Sequence, residues 1–134
     1  MRKCFEKHPQ TLFVYVTSPP NAPKEDGEAG WKALAKRALG RQTATDRLAE
    51  QARVARAFND WVKGDDGWLA GYPAKNVIVF DYYDVLTDHG ASNLSRYPNE
   101  DGYDSHPTAE GNRKAAAELV PLLNRAVRRA GLVG

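Results

Sequence analysis

Two short stretches of the chain are almost wholly apolar, and both predict buried strands. The first covers residues 11–17 and stops at Ser18-Pro19-Pro20, where two prolines remove the backbone donors that a sheet needs. The second covers residues 77–83. Apolar runs without an apolar–polar alternation are typical of strands that are covered on both faces, as in parallel sheets. We therefore expect these two segments to be central strands.

Three other segments repeat apolar residues at every third or fourth position, which predicts amphipathic helices. They cover residues 31–39, 43–62 and 109–130. We expect Thr45 or Asp46 to cap the second helix and Thr108 to cap the third. The apolar stripe of the second helix is predicted to pack in the core, and its Asn59 and Asp60 to lie on a solvated edge.

The order strand, helix, strand, helix predicts an α/β fold in which a right-handed connection joins two parallel strands. A chain of 134 residues is the size of one domain, so we expect residues 1–134 to form a single α/β domain. Sheets usually contain about four to six strands, whereas only two are predicted here. The sheet is therefore expected to be incomplete, with its other strands missing or supplied by a partner.

Composition narrows the classes of partner. The 19 basic and 17 acidic residues are mixed along the chain and give a net charge of +2, so no strong field attracts nucleic acid or an anionic membrane. No apolar run approaches the roughly 20 residues that cross a bilayer, and no signal peptide is recognised at the start. One cysteine cannot form an internal disulfide and does not fix the compartment. Small neutral or sugar-like molecules remain as expected partners.

A histidine, His106, precedes the last predicted helix, and an aspartate, Asp104, stands two residues before it. A carboxylate at this distance can bind one imidazole nitrogen and leave the other free as a base. Ligands of open α/β sheets bind beyond the carboxyl ends of the strands, and the loop after the second strand leads there. From spacing alone, a capping or surface histidine is the alternative. A metal site built from Asp101, Asp104, His106 and His89 is a third, although the spacing matches no dedicated metal motif.

The stretch DSHPTAEGNR at residues 104–113, followed by an amphipathic helix, resembles the last block of the SGNH (GDSL-type) hydrolase superfamily. The strand that ends in FDYY at residues 80–83 and the strand with a double proline at residues 12–20 fit the same resemblance, which extends over residues 10–129. It covers the C-terminal half of such a domain. The resemblance implies a three-layer, flavodoxin-like parallel sheet with flanking helices, and hydrolysis of esters, or acyl transfer, without a cofactor.

The resemblance also implies roles for individual residues. His106 matches the histidine that acts as general base in this superfamily. The acid usually stands three residues before it, where this chain has Tyr103, whereas relatives resembling the alginate acetyltransferases use a spacing of two. Asp104 is therefore the implied acid, with Asp101 in reserve.

Other expected parts of such a site are absent from the sequence. Neither a Gly-Asp-Ser segment after a strand nor a Gly-x-Asn-Asp segment occurs, so the nucleophile and oxyanion hole are not identified. Ser18, at the end of the first strand, is a candidate for substrate contact or attack. Trp68, in a glycine-rich stretch, and Tyr83, at the end of the second strand, are further candidates for substrate contact.

Two functions follow from these observations. The first is a serine ester hydrolase that acts on small esters or acylated carbohydrates once a segment bearing the nucleophile completes it. The second is a non-catalytic, truncated SGNH-like module that associates through its open sheet edge. Its partner would be a second copy or a missing N-terminal half.

Overall fold

The computed structural model describes residues 2–24 and 30–132. It is a mixed α/β structure in which about half of the chain is helical and the strands are short. The helices are α1 (Arg2–Lys7), α2 (Gly30–Ala38), α3 (Ala44–Lys63), α4 (Tyr82–Leu86) and α5 (Ala109–Arg129). Within the described ranges, no helix has both the length and the apolar character needed to cross a membrane.

The strands form two separate pairs. They are β1 (Phe13–Val16) with β2 (Val77–Phe80), and β3 (Pro98–Asn99) with β4 (Asp104–Pro107). The first pair is parallel, as predicted. The second is antiparallel and was not predicted, since the sequence reads as an irregular polar loop there. The three-residue turn Glu100–Gly102 joins β3 to β4.

The two faces of β1 differ in how they are covered. On one face Phe13 packs against Phe5 of α1, with ring centroids 4.7 Å apart. On the other face Val14 and Val16 are 37% and 49% exposed. The expectation of a strand buried on both faces is therefore wrong for β1, whose second face is only partly covered by the described residues.

Strand β2 is buried more fully than β1. Its Phe80 forms an apolar cluster with Val85 of α4 and Ala115 of α5. In the parallel register Val14 lies opposite Ile78, and residue 16 lies opposite Phe80. Val14 and Val16 therefore lie on the same face of the sheet that α5 packs against at β2.

Helix α3 carries two apolar stripes, of which only one is buried. Its buried apolar residues are Leu48, Ala52 and Val62. Three others, Val54, Phe58 and Trp61, are about half exposed, at 53%, 51% and 50%. The prediction that the whole stripe packs in the core is therefore wrong. The prediction for Asn59 is also wrong, because it is only 4% exposed, whereas Asp60 lies at the surface as expected.

Local hydrogen bonds set where the elements begin and end. Thr43 caps α3 in a reciprocal arrangement with Asp46, so the predicted cap is wrong by two or three residues. Thr108 caps α5 as predicted, and accepts a hydrogen bond from the amide of Gly111. The side chain of Asp81 accepts from the amide of residue 84 and starts α4, which ends the second strand three residues earlier than expected.

Candidate functional site

The candidate site lies where β4 leads into α5. The amide of Thr108 donates to the carbonyl of Tyr97 at 2.8 Å, and the side chain of Asn99 donates to the carbonyl of Pro107 at 3.3 Å. These bonds hold the carboxyl end of β4 against the segment before it. Gly111 allows α5 to approach this segment closely, because a Cβ there would lie 2.8 Å from the Cβ of Tyr97.

Asp104 and His106 form a hydrogen-bonded pair on β4. Oδ1 of Asp104 lies 2.6 Å from Nδ1 of His106 and accepts a second hydrogen bond, of 2.9 Å, from the His106 backbone amide. An ionised carboxylate only accepts hydrogen bonds, so the imidazole carries its proton on Nδ1. In the neutral ring Nε2 then keeps a free lone pair, which is the state that a general base requires.

The electrostatics of this pair favour an ionised acid. The backbone amide of His106, followed by its imidazole, holds the pKa of Asp104 below its usual value. The aspartate is therefore charged at neutral pH and is able to stabilise an imidazolium beside it.

The two partners differ in exposure. The side chain of His106 is 84% exposed and that of Asp104 is 29% exposed. A cavity of ≈ 580 Å³ lies beside the turn between β3 and β4, and its walls include Asn99 and Thr108 but not His106. Within the described ranges, Nε2 of His106 makes no hydrogen bond, so it is accessible to a reactant from solvent.

Asp101, the reserve acid, is not the residue that contacts the imidazole. It is exposed in the turn between β3 and β4, where its φ of 53° is left-handed. The structure therefore selects Asp104 as the carboxylate that orients His106.

Ser18 is exposed just beyond β1. Its neighbour Thr17 is buried and donates from its hydroxyl to Asp81, which joins the ends of the two parallel strands. Among residues 2–24 and 30–132, no hydrogen bond connects Ser18 with His106. A role for Ser18 in substrate contact or attack stays a prediction.

Trp68 and Tyr83 both make packing contacts. The ring of Trp68 lies 5.4 Å from that of Tyr15 and is half-buried. Tyr83 is 1% exposed, and its hydroxyl lies 3.1 Å from the carbonyl of Ala52 and 2.7 Å from that of Asn93. Burial raises the pKa of Tyr83 despite the nearby Arg56. Substrate contact by either ring stays a prediction.

A second pair of aspartate and histidine occurs at the carboxyl end of β2, and the sequence had not revealed it. Nδ1 of His89 lies 3.1 Å from Oδ2 of Asp84, and Nε2 lies 3.1 Å from Oε1 of Glu118 on α5. Both ring nitrogens of His89 thus face carboxylates. The five-residue spacing of Asp84 and His89 across the end of α4 was the only local signal.

Arg56 of α3 supports this second pair. Its guanidinium contacts Oδ1 of Asp84 at 2.8 Å, donates to the carbonyl of Ser92 at 2.9 Å and lies 4.7 Å above the ring of Tyr83. Burial would raise the pKa of Asp84, but the hydrogen bonds from Arg56 and His89 outweigh it and lower that pKa. The arginine therefore joins α3, α4 and the loop that follows α4.

The metal-site hypothesis gains no support. Among the described residues, no three histidine, cysteine, aspartate or glutamate side chains are grouped so that they could hold a metal ion. His106 and His89 instead contact different carboxylates.

Comparison of the chain with known proteins gave no match to a family model, to a curated protein or to a solved structure. No relative therefore supports or contradicts the resemblance to SGNH hydrolases. Any function must be argued from the residues and their geometry.

Proposed function

We propose that this chain is the base-bearing part of an SGNH-type serine ester hydrolase with a flavodoxin-like sheet. The observation that carries the proposal is the contact between Asp104 and His106, which leaves Nε2 free beside the start of α5. Nε2 takes the proton from a serine hydroxyl as the serine attacks the ester carbonyl, and returns it to the leaving alcohol. Asp104 keeps the ring in the correct tautomer and stabilises its charged form.

The rest of the structure is compatible with this role. Parallel strands joined through α2 and α3, with α5 packed against β2, form an α/β arrangement that carries the dyad on its last strand, directly before α5. The serine would come from a segment outside these 134 residues, or from Ser18. The near-balance of charge favours a small ester or acylated carbohydrate as substrate, and acyl transfer by this mechanism needs no cofactor.

Ester turnover tests this proposal. The protein expressed from its complete reading frame should hydrolyse nitrophenyl acetate, and His106→Ala should lower kcat by about 10²- to 10⁴-fold. His8→Ala is the matched control, because His8 is exposed in the loop after α1. Circular dichroism should show that both variants keep the fold. Equal turnover in His106→Ala and the parent protein would exclude His106 as the base.

A second candidate function rests on the free edge of β1. The amides of Phe13 and Thr17 donate to the carbonyls of Asn76 and Phe80, so these residues point toward β2. By alternation, the backbone groups of Val14 and Val16 point away from β2. Charged residues and proline usually protect an edge strand from pairing. Residues 13–16 contain neither.

The chain exposes more surface than a compact monomer of its mass. The chain exposes 8639 Å², whereas a folded monomer of 14.8 kDa exposes about 7,000 Å². The surplus of about 1,600 Å² is about twice what each partner buries in a standard interface. We propose as the alternative a non-catalytic module in which a second copy covers β1. Antiparallel pairing centred on Tyr15 brings Val14 of one copy opposite Val16 of the other and satisfies the outward groups of both.

Light scattering at several protein concentrations tests the alternative, which predicts a dimer without esterase activity. Val16→Pro removes an outward donor and should give a monomer, whereas Val120→Lys, at an exposed position on α5, should leave the dimer intact. A chain that stays monomeric, or a dimer that tolerates Val16→Pro, would contradict pairing through β1.

A further inference from the structure

His89 occupies the turn after α4, in a conformation that is unusual for its residue type. Asp88 and His89 have φ values of 57° and 52°, and Gly90 follows at 87°. Only the glycine adopts this left-handed region without steric cost. Backbone hydrogen bonds hold the turn, among them one from the amide of His89 to the carbonyl of Asp84 and one from the amide of Ser92 to the carbonyl of Thr87.

The side chain of His89 links this turn to two helices. Nδ1 faces Asp84 of α4 and Nε2 faces Glu118 of α5, both at 3.1 Å. A protonated imidazole donates from both nitrogens and satisfies both carboxylates. A neutral imidazole carries one proton, so one nitrogen must present its lone pair to a carboxylate. Loss of the proton therefore breaks one of the two contacts.

The surroundings decide which contact breaks. Asp84 is fixed by Arg56, which binds its Oδ1 and leaves Oδ2 for His89. The side chain of Glu118 is 46% exposed, so it can turn away from His89 into solvent. The neutral ring is thus expected to keep its proton on Nδ1 and its bond to Asp84, and to lose Glu118.

The other charged groups around the turn act on Asp84 and Asp88. Lys63 of α3 adds to the positive field of Arg56 at Asp84. Lys114 of α5 lies 3.8 Å from Asp88. Neither lysine replaces the proton between His89 and Glu118.

We propose that residues 88–92 form a pH-sensitive strap, which protonated His89 fastens to both α4 and α5 and which loss of that proton releases from Glu118. The strap leads directly into one wall of the cavity beside β3 and β4, since Ser92 and Leu94 line that cavity. The contact with Glu118 adds a restraint on this wall to the bond from Arg56 to the Ser92 carbonyl, and release removes the added restraint.

The direction of the pH dependence follows from the same contacts. The hydrogen bond to Asp84, followed by the charge of Glu118, raises the pKa of His89 above its usual 6.5. Because the folded value is the higher one, the stabilising contribution is complete below pH 6.5 and is lost as the pH rises through the raised pKa. The strap is therefore bound to α5 in mildly acidic solution and released from α5, but not from α4, in alkaline solution.

Nuclear magnetic resonance of the folded chain tests the strap without any reference to enzyme activity. The His89 ring should titrate above pH 6.5, and its neutral form should carry the proton on Nδ1. Protection of the Ala91 and Ser92 amides from hydrogen exchange should fall through the same titration, after correction for the intrinsic effect of pH on exchange.

Two variants on α5 give the matched comparison. Glu118→Gln removes the charge but keeps an amide that can donate to the neutral ring, so the His89 midpoint should fall and the pH dependence of amide protection should disappear. Glu110→Gln removes an exposed carboxylate on the same helix and should change neither. A His89 midpoint at or below 6.5, or amide protection that is constant through the titration, would overturn the proposal.

Discussion

The chain contains two pairs of aspartate and histidine that begin alike and differ in one contact. In each pair Nδ1 of the histidine contacts an aspartate oxygen, at 2.6 Å for His106 and at 3.1 Å for His89. Nε2 of His106 makes no hydrogen bond within the described residues, whereas Nε2 of His89 faces Glu118. What lies at Nε2, rather than the aspartate at Nδ1, determines what each histidine can do.

The difference separates a reactive histidine from a structural one. A base needs an accessible lone pair, and His106 offers one at a side chain that is 84% exposed. His89 is engaged on both sides and connects two helices, so its proton affects conformation instead. An aspartate near a histidine is thus weak evidence for catalysis until the second nitrogen has been examined.

Asparagine substitutions at the two aspartates should give the largest contrast. In Asp104→Asn the amide can donate to Nδ1, which places the ring proton on Nε2 and removes the base. Ester turnover should fall by about 10²- to 10⁴-fold with little change in melting temperature, because asparagine has nearly the same size and can still accept the His106 backbone amide. Asp84→Asn should instead lower the melting temperature, since Arg56 loses the negative charge that it pairs with. Unchanged turnover in Asp104→Asn would remove the distinction between the pairs.

Removal of Arg56 should weaken only the second pair. Its side chain is 16% exposed and that of Asp84 is 23% exposed, so Arg56→Met leaves a poorly solvated charge and should lower the free energy of unfolding by about 3 kcal/mol. Arg53→Met, on the same helix, breaks a pair with Glu50 that is exposed on both sides and should cost much less stability than Arg56→Met. Urea unfolding measures both, and equal effects would contradict the supporting role of Arg56.

A side chain at Gly111 should disturb only the first pair. Gly111→Val brings carbon atoms against Tyr97, Leu86 and Pro107 and should cost about 2 kcal/mol of stability. Resonances of His106 should shift while those of His89 stay in place. Gly30→Ala is the control, because a Cβ there meets nothing within 4 Å. A stable Gly111→Val variant would show that α5 can move away from β4.

The stability that each pair contributes should depend on pH in a different range. These are the smallest of the predicted effects. The lowered pKa of Asp104 gives stability that is present above its usual 3.8 and is lost as the pH falls through the lowered value. The urea midpoint of Asp104→Asn should therefore differ most from that of the parent protein at neutral pH and least below pH 3.8. His89→Asn, which tolerates the left-handed backbone, should differ from the parent protein below pH 6.5 and converge with it at alkaline pH. Parallel pH curves for either variant and the parent protein would contradict this assignment.

The sequence predicted elements whose signals are local. The apolar runs that form β1 and β2, and the cap at Thr108, depend on adjacent residues and were found. The strands β3 and β4 were missed, because they contain no apolar run and are joined through left-handed Glu100 and Asp101. Such backbone conformations leave little trace in composition.

The candidate site was predictable to the same extent. Asp104 and His106 are neighbours in sequence, so their contact was foreseen. The contacts of His89 depend on Arg56 and Glu118, which come from α3 and α5 and meet only in the folded chain. Periodicity likewise placed Phe58 in the apolar stripe of α3, but it does not reveal whether another element is present to cover that stripe.

A fluorophosphonate probe, which reacts only with an activated serine, tests the central claim most directly. The protein from its complete reading frame should be labelled at a single serine, identified by mass spectrometry, and His106→Gln should abolish the labelling while His89→Gln keeps it. Undiminished labelling of His106→Gln, or no labelled serine in the parent protein, would contradict the assignment of His106 as the base of a serine ester hydrolase.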